Sequence, residues 1–290
     1  MKFSIVIPTF NRRETLAEVL PSLARQEFPT EDYEILVCDA GSTDGTLELI
    51  QELDIPNLRI LPGGDSGRGG ARNRGVRDAR GQIVLFTDAD IIADPRLLAE
   101  HERSHQRFPG DPVVGCEIQV DSLEEYYAYR QDPAAHARHR PDRGTLPWHY
   151  FLTGNASVDR DTLVEVGMFD ENFTGYGHED LELGYRLLAR GLTIRYNPEA
   201  INYHWHPVPF DEQCRKMRLA GVSTVRFYNK HKDLRIPLIM GWNPLSLLVH
   251  AIIARVPALL GWLEGRTPHS HLAREIVLQY HYVSGIKEAR

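Results

Sequence analysis

Asp88 and Asp90 are separated by one residue and follow an apolar run at residues 83–87. The run carries no charge and consists of β-branched or large apolar residues, which predicts a fully buried strand. If the backbone stays extended through Ala89, the two carboxylates point to the same side. Hard oxygen donors at the carboxyl end of a buried strand favour Mg²⁺ or Mn²⁺, held together with phosphate oxygens. The alternative is a solvated turn in which Asp90 caps a neighbouring element.

Three further carboxylates lie at the ends of predicted elements. Asp39 ends an apolar strand at residues 33–39, and Glu179 and Asp180 open a helix that Gly191 stops. In the first turn of a helix the macrodipole favours the ionised form, which predicts a carboxylate that stays deprotonated at neutral pH. The alternatives are a helix cap for Asp39 and a purely structural helix N-terminus for Glu179 and Asp180.

Two histidines are candidates for a second metal ligand. His204 and His206 follow a predicted strand at residues 192–196. A neutral imidazole suits Mn²⁺, so one of the two is expected to join Asp90 at the cation. The alternative is a pair of packed or exposed histidines. The histidines within residues 121–149 have no regular ligand spacing, and we expect them to be solvated.

The elements that position these residues alternate between strands and helices. Up to residue 87 the pattern demands a parallel sheet with right-handed crossovers. Residues 121–149 are polar and aromatic and are predicted to be irregular, as a candidate binding surface. The predicted strands are residues 3–7, 33–39, 58–61, 83–87, 113–120, 151–158 and 192–196. The predicted helices are residues 14–26, 71–79, 95–108, 161–166, 179–190 and 211–230, with one more that Ser42 or Thr43 caps and that ends at residue 53.

The composition is that of an ordinary globular protein. Of the 290 residues 42% are hydrophobic and 25% are charged, and the net charge of −7 provides no basic surface for nucleic acid. Three widely spaced cysteines, Cys38, Cys116 and Cys214, argue against a disulfide scaffold and for a reducing compartment. The apolar run at the start is too short for a signal peptide and is expected to form the first strand. These features predict a cytoplasmic protein.

Residues 211–290 differ in character from the rest of the chain. Between residues 236 and 263 Arg255 is the single charged residue, and prolines at 237, 244 and 257 interrupt the apolar sequence. A straight membrane span of about 20 apolar residues is therefore not expected. Two or three short helices fit better, lying against a partner or on a membrane, here the inner face of the cell membrane. Packing on the main domain is the alternative.

Four motifs in order along the chain resemble the signature of family-2 inverting glycosyltransferases with the GT-A fold. They occupy residues 6–12, 37–46, 70–75 and 88–90. Gly-His-Glu-Asp at residues 177–180 resembles the Trp-Gly-Gly-Glu-Asp acceptor motif of β-1,4-galactosyltransferases and chondroitin polymerases. Each motif is weak alone, but four in the right order and strand context over residues 3–206 are specific. The chain departs from the pattern at Ala40, where a second Asp or Asn is frequent, and at His178, which replaces a small residue.

The resemblance implies an α/β chain with a GT-A fold. Helices would flank a Rossmann-like, mainly parallel central sheet, and a C-terminal helical appendage would follow. Residues 1–210 would form the glycosyltransferase domain, with a nucleotide-binding half over about 1–115 and an acceptor half over about 116–210. Residues 211–290 would form the helical region.

The resemblance also implies roles for individual residues. Asp180 would be the catalytic base of a single inverting displacement, with Glu179 as its partner. Asp90 and His204, or His206 in place of His204, would hold a divalent cation, Mn²⁺ or Mg²⁺. The residues expected to bind the nucleotide sugar are Pro8, Thr9, Asn11, Arg12, Asp39, Arg72, Asp88, Ala89 and Asp90. Those expected to bind the acceptor are Glu179, His178, Tyr176 and Asn155.

The expected activity is metal-dependent transfer of a sugar, with inversion, from a nucleotide diphosphate to a hydroxyl of a glycan or lipid-linked acceptor. The donor is expected to be a UDP-sugar, because the resemblance implies a hydrogen bond from uracil to Asp39. Asp88 would meet ribose or sugar hydroxyls, and Arg72 phosphate or base. The expected context is polysaccharide or glycoconjugate synthesis at the cell envelope.

Two alternative functions have different requirements. A sugar nucleotidyltransferase needs a Gly-rich loop directly after the first strand, whereas residues 8–11 of this chain are Pro-Thr-Phe-Asn. A catalytically inactive homologue that acts as a scaffold does not need its carboxylates. Asp88, Asp90, Glu179 and Asp180 are all present, which favours an enzyme.

Overall fold

The described part of the chain forms two compact units. The structure is a computed structural model, and it describes residues 1–64, 67–131, 144–205 and 207–290. Unit 1 consists of Met1–Glu171 and Glu179–Pro207, and unit 2 consists of Asn172–His178 and Val208–Arg290. Each unit contains its own cluster of buried apolar side chains.

Unit 1 is built on one sheet, which has nine strands within the described residues. They are β1 Phe3–Thr9, β2 Tyr33–Asp39, β3 Leu58–Pro62, β4 Ile83–Phe86, β5 Ile91–Ala93, β6 Val113–Val120, β7 Thr145–Leu146, β8 Ala156–Asp159 and β9 Ile194–Trp205. Their order in space is β3-β2-β1-β4-β8-β6-β9-β5, and β7 pairs with β9. The first four strands are parallel, as predicted, and β6 is parallel to β9, while the other pairs are antiparallel.

Helices belong to both units. In unit 1 they are α1 Arg13–Ala24, α2 Thr46–Glu52, α3 Gly67–Asp78, α4 Leu97–Arg107, α5 Leu123–Gln131, α6 Arg160–Glu165 and α7 Glu179–Ala189. In unit 2 they are α8 Phe210–His231, α9 Arg235–Ile239, α10 Pro244–Arg255, α11 Pro257–Glu264 and α12 His271–Glu288. Short 3₁₀ helices occur at Thr30–Asp32 and Trp148–Tyr150.

Helices cover both faces of the parallel strands. On one face Ile5 of β1 and Leu16 of α1 belong to the same buried cluster. On the other face α3 lies close against β1, because a Cβ on Gly75 would be 2.4 Å from Val6 Cγ1. Strands that are buried on both faces require the near-continuous apolar runs seen in this sequence. The carboxyl ends of β1, β2 and β4 are thereby held side by side at one edge.

Several predicted elements differ in the structure, and the strand predicted at residues 151–158 begins only at Ala156. The segment 121–149 was expected to be irregular, but it contains α5 and β7 within its described part, and residues 132–143 lie outside that part. The strand predicted at residues 192–196 is longer, since β9 continues to Trp205. Its second half pairs with β5 on one side and β6 on the other, which keeps its backbone extended.

The start of α2 also differs from the prediction. The helix begins at Thr46, and Gly45 precedes it in a left-handed conformation with φ of 86°. Ser42 does not cap α2, because its hydroxyl donates to Asp39 Oδ1. The side chain of Asp44 accepts from the Thr46 N–H at 3.1 Å, and it supplies the local hydrogen bond instead.

Helices α8 and α12 approach each other closely at two glycines. A Cβ on Gly221 would lie 2.0 Å from the carbonyl oxygen of Tyr282, and one on Gly285 would lie 1.8 Å from that of Arg218. A side chain of any size would therefore overlap the backbone of the neighbouring helix. Glycine at both positions permits this packing.

The described helices do not include one that is long and apolar enough to cross a membrane alone. Helices α10 and α11 together reach the length and composition of a span, with a bend of 102° between them. The bend coincides with Pro257 in the first turn of α11, since proline lacks the N–H that would continue α10.

Gly285→Ala should destabilise the protein. Alanine favours a helix by about 1 kcal/mol over glycine, but its methyl group would overlap the Arg218 carbonyl and cost roughly 1–3 kcal/mol or more. We expect a net loss in the free energy of unfolding, measured by urea denaturation. Gly261→Ala is the matched control, because a Cβ added to this helical glycine would meet nothing within 4 Å. Equal effects of both substitutions would contradict the close helix approach.

Candidate active site

A pocket of about 350 Å³ lies at the carboxyl ends of β1 and β4 in unit 1. This edge is where open α/β sheets bind ligands, and the volume is usual for a small-molecule site. Six of the nine residues predicted to bind the nucleotide sugar line it. The lining consists of Pro8, Thr9, Phe10, Arg12, Ala40, Gly67, Arg68, Ala71, Asp88, Ala89 and Asp90.

The pocket lining carries charges of both signs. Arg12 and Arg68 contribute cations, and Asp88 and Asp90 contribute carboxylates. The hydroxyl of Thr9 is buried and has no hydrogen-bond partner within the described part of the chain. A buried polar group without a partner is costly, so a ligand that bonds to this hydroxyl would be favoured.

The two aspartates reach the pocket through a turn. Strand β4 ends at Phe86, and the Ile91 N–H donates to the Asp88 carbonyl at 3.2 Å before β5 begins. The backbone is therefore not extended through Ala89, which the prediction that both carboxylates point to the same side had assumed. Asp88 and Asp90 nevertheless both line the pocket. The Trp205 N–H donates to the Asp90 carbonyl at 2.8 Å and fixes the end of the turn.

Arg72 of α3 is a buried bridge between two carboxylates. Its guanidinium donates to Asp88 Oδ1 at 2.7 Å and to Glu179 Oε1 at 2.9 Å, and its side chain is 2% exposed. Burial acts to lower the pKa of Arg72, but Asp88, Glu179 and Asp180 together raise it above the ordinary value. Both terminal nitrogens are thus engaged, and Arg72 does not line the pocket. The predicted contact with phosphate or base does not fit this position.

The pKa of Asp180 is far from that of an ordinary aspartate. Loss of solvation and the charge of Glu179 raise the pKa of Asp180 to about 7, although Arg72 and the Leu181 N–H act to lower it. The expectation that the helix N-terminus keeps this carboxyl fully ionised at neutral pH is therefore wrong, because desolvation outweighs the dipole. A carboxyl that titrates near neutral pH suits a general base.

His204 of β9 lies between two carboxylates. Its Nε2 is 3.6 Å from Asp90 Oδ1, and its Nδ1 is 3.2 Å from Glu117 Oε1. Burial acts to lower the pKa of His204, but the bond to Glu117 and the charges of Asp90 and Asp88 raise it overall. The structure thus brings together Asp90 and His204, whereas His206 lies outside the described residues.

A metal centre made of protein ligands alone is not seen in the described ranges. No group of three or more His, Cys, Asp or Glu side chains converges there. Asp90 and His204 provide two donors, and Mg²⁺ in enzymes is usually held by one or two carboxylates with water and substrate phosphates. The pair therefore fits a cation that arrives with a phosphate ligand.

The loops around the pocket are held by two residues that were predicted to bind nucleotide. Asp39 accepts from the N–H groups of Gly41 at 2.9 Å and Ser42 at 3.1 Å. Asn11, at φ of 51°, accepts from the Thr43 N–H at 2.9 Å and donates its own N–H to Ser42 Oγ. Neither side chain lines the pocket, and both fix the conformation of the loops that do.

Asn155 is not placed to bind an acceptor. Its buried amide donates to the carbonyl oxygens of Ala200 at 2.9 Å and Cys116 at 3.3 Å. Its Oδ1 lies 2.8 Å from His101 Nε2. Both ends of the amide are engaged by buried groups of the sheet and of α4, so the predicted acceptor role does not fit this position.

The other predicted acceptor residues are divided between the units. Glu179 is buried at the start of α7 in unit 1. His178 belongs to unit 2, where it is buried at φ of 74° with Nε2 2.9 Å from Thr224 Oγ1. Tyr176 packs in unit 2 against the cluster that contains Tyr282. Their acceptor roles stay predictions.

Six residues of the site were not predicted. Glu117 bonds to His204, and the other five, which line the pocket, are Phe10, Ala40, Gly67, Arg68 and Ala71. Phe10 stands between two predicted residues, so its position alone could have revealed it. Arg68 lies in a glycine-rich segment that gives no periodic signal. Glu117 alternates with buried residues of β6, which marks it as outward-facing, but the sequence contains no signal that pairs it with His204.

The chain belongs to glycosyl transferase family 2. Residues 4–168, more than half of the chain, match this family, and residues 136–207 match the N-terminal domain of galactosyltransferase. The protein is thus a glycosyltransferase that uses a nucleotide-sugar donor. The predicted resemblance and the predicted enzyme class are confirmed.

Several relatives have similar sequences. The chain is 29% identical to the uncharacterized glycosyltransferase YfnE of Bacillus subtilis (strain 168), over 81% of this chain and 72% of the relative. It is 31% identical to validoxylamine A glucosyltransferase of Streptomyces hygroscopicus subsp. jinggangensis (strain 5008), over 80% and 61%. It is 27% identical to chondroitin synthase of Escherichia coli, over 83% and 42%. The chain therefore spans less than two thirds of the last two relatives.

Solved structures share the fold. TarS 1-349 of S. aureus in complex with UDP has a TM-score of 0.59 and 22% identity, over 99% of this chain and 91% of that chain. The mannosyltransferase PcManGT of Pyrobaculum calidifontis, in complex with GDP-Man and Mn²⁺, has a TM-score of 0.68 and 19% identity, over 99% and 86%. The predicted GT-A fold class is confirmed.

Asp180→Asn should change how stability depends on pH. The pKa of Asp180 is about 7 in the folded chain, against about 3.9 for an unfolded aspartate, so the native state binds this proton more tightly. The stabilisation is complete below about pH 4 and is lost as the pH rises through the folded pKa. Between pH 5 and pH 8 the wild type should lose on the order of 1–3 kcal/mol relative to Asp180→Asn, measured by urea unfolding.

The control for this experiment is Asp161→Asn. Asp161 also lies in the first turn of a helix, but its side chain is 93% exposed. The free energy of unfolding of Asp161→Asn should depend on pH in the same way as that of the wild type. Parallel profiles for the wild type and Asp180→Asn would contradict the raised pKa.

Proposed function

We propose that this family 2 enzyme moves a sugar, with inversion and with a divalent cation, from a UDP-sugar to a hydroxyl of a glycan or lipid-linked acceptor. The observation that carries the proposal is the Arg72 bridge. It joins Asp88, at the pocket where a donor would bind, to Glu179, beside the base candidate Asp180. Donor and acceptor chemistry would therefore meet at one strand end.

The pocket suits the diphosphate of a nucleotide sugar. Arg12 and Arg68 would form charge-assisted hydrogen bonds with phosphate oxygens. Phe10, which is 57% exposed, offers an aromatic face to a base. TarS 1-349 was solved with UDP, which supports uridine as the nucleotide. The buried Asp39 carboxylate would act indirectly, by fixing the loop at residues 40–42 beside the base.

Asp90 and His204 would hold the cation. Two ligands at about 2.1 Å from one ion lie at most about 4.2 Å apart, and the 3.6 Å between Asp90 Oδ1 and His204 Nε2 is within that limit. PcManGT was solved with Mn²⁺, which supports Mn²⁺ or Mg²⁺ here. When bound, the cation would supply Lewis-acid stabilisation of the charge on the departing diphosphate.

Asp180 would act as the base. In a single displacement the acceptor hydroxyl attacks the anomeric carbon opposite the leaving diphosphate, and a nearby carboxylate takes its proton. The pKa of about 7 lets Asp180 accept this proton and release it again near neutral pH. Glu179 is fixed in the same turn by its bond to Arg72, and would orient acceptor hydroxyls there.

The two alternative functions find no support. Family membership and the loop at residues 8–11, which lacks glycine, speak against a sugar nucleotidyltransferase. An inactive scaffold would not need its carboxylates to be placed for chemistry. Here Arg72 connects Asp88 and Glu179 through charged hydrogen bonds.

Asp90→Ala and Asp180→Asn should separate donor binding from chemistry. Asp90→Ala should lose Mn²⁺-dependent binding of UDP, measured by calorimetry, because the diphosphate would lack its cation. Asp180→Asn should bind UDP and Mn²⁺ normally but transfer sugar about 100-fold or more slowly, measured across a panel of nucleotide sugars. In the wild type kcat/KM should rise with pH and level off above about 7, since only the ionised base accepts a proton.

The outcomes of this experiment are distinct. Asp161→Asn should behave as the wild type in every assay. Transfer retained in Asp180→Asn would place the base elsewhere, and UDP binding retained in Asp90→Ala would remove the cation from this strand end. If Glu179→Gln were the inactive variant instead, Glu179 and Asp180 would exchange roles.

An apolar surface on unit 2 would hold the enzyme at a membrane. Its members are large apolar side chains of α9 to α11 and the adjoining turns, each between 45% and 69% exposed. They are Leu234, Leu238, Ile239, Leu245, Leu248, Ile252, Val256 and Trp262. All eight fall within residues 234–262, and clustered exposed apolar side chains mark an interaction site.

The charges around this apolar surface favour an anionic bilayer as the partner. Residues 232–290 contain seven Lys and Arg and four Asp and Glu, a balance of +3, while the whole chain carries −7. Arg266 lies over the ring of Trp262 at 4.1 Å, and this pairing of a cation with an amphipathic ring is typical of the lipid headgroup region. A membrane location also agrees with a lipid-linked acceptor. Cys38, Cys116 and Cys214 are buried thiols that form no disulfide within the described residues, which agrees with the cytoplasmic side.

Leu245→Glu combined with Leu248→Glu should abolish membrane association. Both side chains are more than half exposed, so the fold should tolerate the change, but two carboxylates would be repelled by anionic lipid. Flotation with phosphatidylglycerol-containing vesicles should recover the wild type and at least about tenfold less of the variant. Val164→Glu in unit 1 is the control and should float normally. A wild type that ignores the vesicles would favour intramolecular packing of this region.

A further inference from the structure

The ring of His204 is held between an inner and an outer carboxylate. Nε2 faces Asp90 Oδ1 at 3.6 Å, and Nδ1 faces Glu117 Oε1 at 3.2 Å. The two ring nitrogens therefore have different partners. The nitrogen that faces Asp90 is the one that would bind the cation under the proposed function.

Three neighbouring strands set this arrangement. His204 of β9 lies opposite Ile91 of β5, directly after Asp90, and opposite Gln119 of β6. Glu117 is two residues before Gln119, so both point to the same face of β6. The exposed Gln119 side chain donates to the His204 carbonyl at 3.0 Å, which is a contact with the backbone and not with the ring.

The chemistry of the pair fixes which nitrogen carries the proton. An ionised carboxylate only accepts hydrogen bonds, so the Nδ1 that faces Glu117 must be the N–H donor. In a neutral ring Nε2 then keeps its lone pair, and that lone pair faces Asp90. A carboxylate behind a ligating histidine also raises the basicity of the ligand.

Gly154 provides the space for the outer carboxylate. A Cβ on Gly154 would lie 2.3 Å from Glu117 Oε2 and 2.9 Å from Ile91 Cδ1. The Gly154 carbonyl accepts from the Asn202 side chain at 2.7 Å, and Asn202 lies opposite Glu117 in the β6 and β9 register. The glycine is thus held against the sheet where a methyl group would displace the carboxylate.

We propose that Glu117 is a positioning residue that fixes the tautomer and orientation of His204 for binding a divalent cation, and that Gly154 makes room for it. This inference rests on the proposed function, because it assumes that Asp90 and His204 hold the cation. It adds two residues to the proposed site: Glu117 as an outer carboxylate, and Gly154 as the residue that leaves space for it. Neither would be a ligand of the ion. Its consequence is a change in affinity for the metal.

Titration of Mn²⁺ into the protein at a fixed concentration of UDP, followed by the EPR signal of free Mn²⁺, tests the inference. Glu117→Ala should weaken Mn²⁺ binding about 10-fold to 100-fold. Gln119→Ala is the matched control, because it removes a bond to the backbone of His204 and leaves the ring contact unchanged. Gln119→Ala should bind Mn²⁺ within about twofold of the wild type.

Gly154→Ala tests whether the position of the Glu117 carboxylate matters, because it leaves the charge of this carboxylate in the protein. This variant keeps every negative charge but pushes the Glu117 carboxylate away, and it should weaken Mn²⁺ binding in the wild-type background. In the Glu117→Ala background it should have little further effect, because the nearer atom that it would displace is gone and the other, Ile91 Cδ1 at 2.9 Å, ends a flexible side chain that can shift. Additive effects of the two substitutions would contradict the steric role of Gly154.

The outcomes distinguish this inference from the proposed function. Mn²⁺ binding that is lost in Asp90→Ala but unchanged in Glu117→Ala would overturn the role of Glu117 alone. Failure of the wild type to bind Mn²⁺ would overturn the cation site and the inference together. Weakened binding in Glu117→Ala and Gly154→Ala, with normal binding in Gln119→Ala, would support it.

Discussion

The buried guanidinium of Arg72 is the interaction on which the site depends. A charge removed from water is tolerated only when it is paired and hydrogen-bonded, and Arg72 meets this requirement through Asp88 and Glu179. The two carboxylates lie 16 and 107 residues away along the chain. Because α3 packs closely on β1 at Gly75, the arginine is held where strand β4 ends and helix α7 begins. Loss of the guanidinium would leave the buried Glu179 carboxylate without a compensating charge.

The same burial explains the base candidate. Arg72 bonds to Asp88 and Glu179, and its charge lowers the pKa of Asp180. Loss of solvation and the charge of Glu179 outweigh this effect and raise the pKa of Asp180, although a helix N-terminus alone would lower it. The ion pairs that fix α7 therefore also leave the Asp180 carboxyl able to take a proton near neutral pH.

Sequence reasoning succeeded where the signal is local and failed where it depends on distant partners. Asp88 and Asp90 were predicted because an apolar strand precedes them in the sequence. The bridging role of Arg72 was not predicted, since its partners come from separate segments and the residue looks like any other helical arginine. Glu117 is similar, because only strand pairing brings it to His204. Motifs thus identify residues, whereas register and burial decide what each one contacts.

Asn155 illustrates how a misassigned residue still serves the site. The register between β6 and β9 shifts after Gly115, which lies opposite Asn197, whereas Cys116 lies opposite Ile201. Residues 198–200 of β9 therefore have no counterpart in β6. Because three is an odd number, each later side chain of β9 faces the opposite side of the sheet from the one that it would face without the shift. The Asn155 amide bonds to carbonyl oxygens on both sides of this irregularity, at Cys116 and Ala200. It thereby stabilises the register shift after which His204 lies beside Asp90 and Glu117, and this buried amide supports the geometry of the proposed cation site.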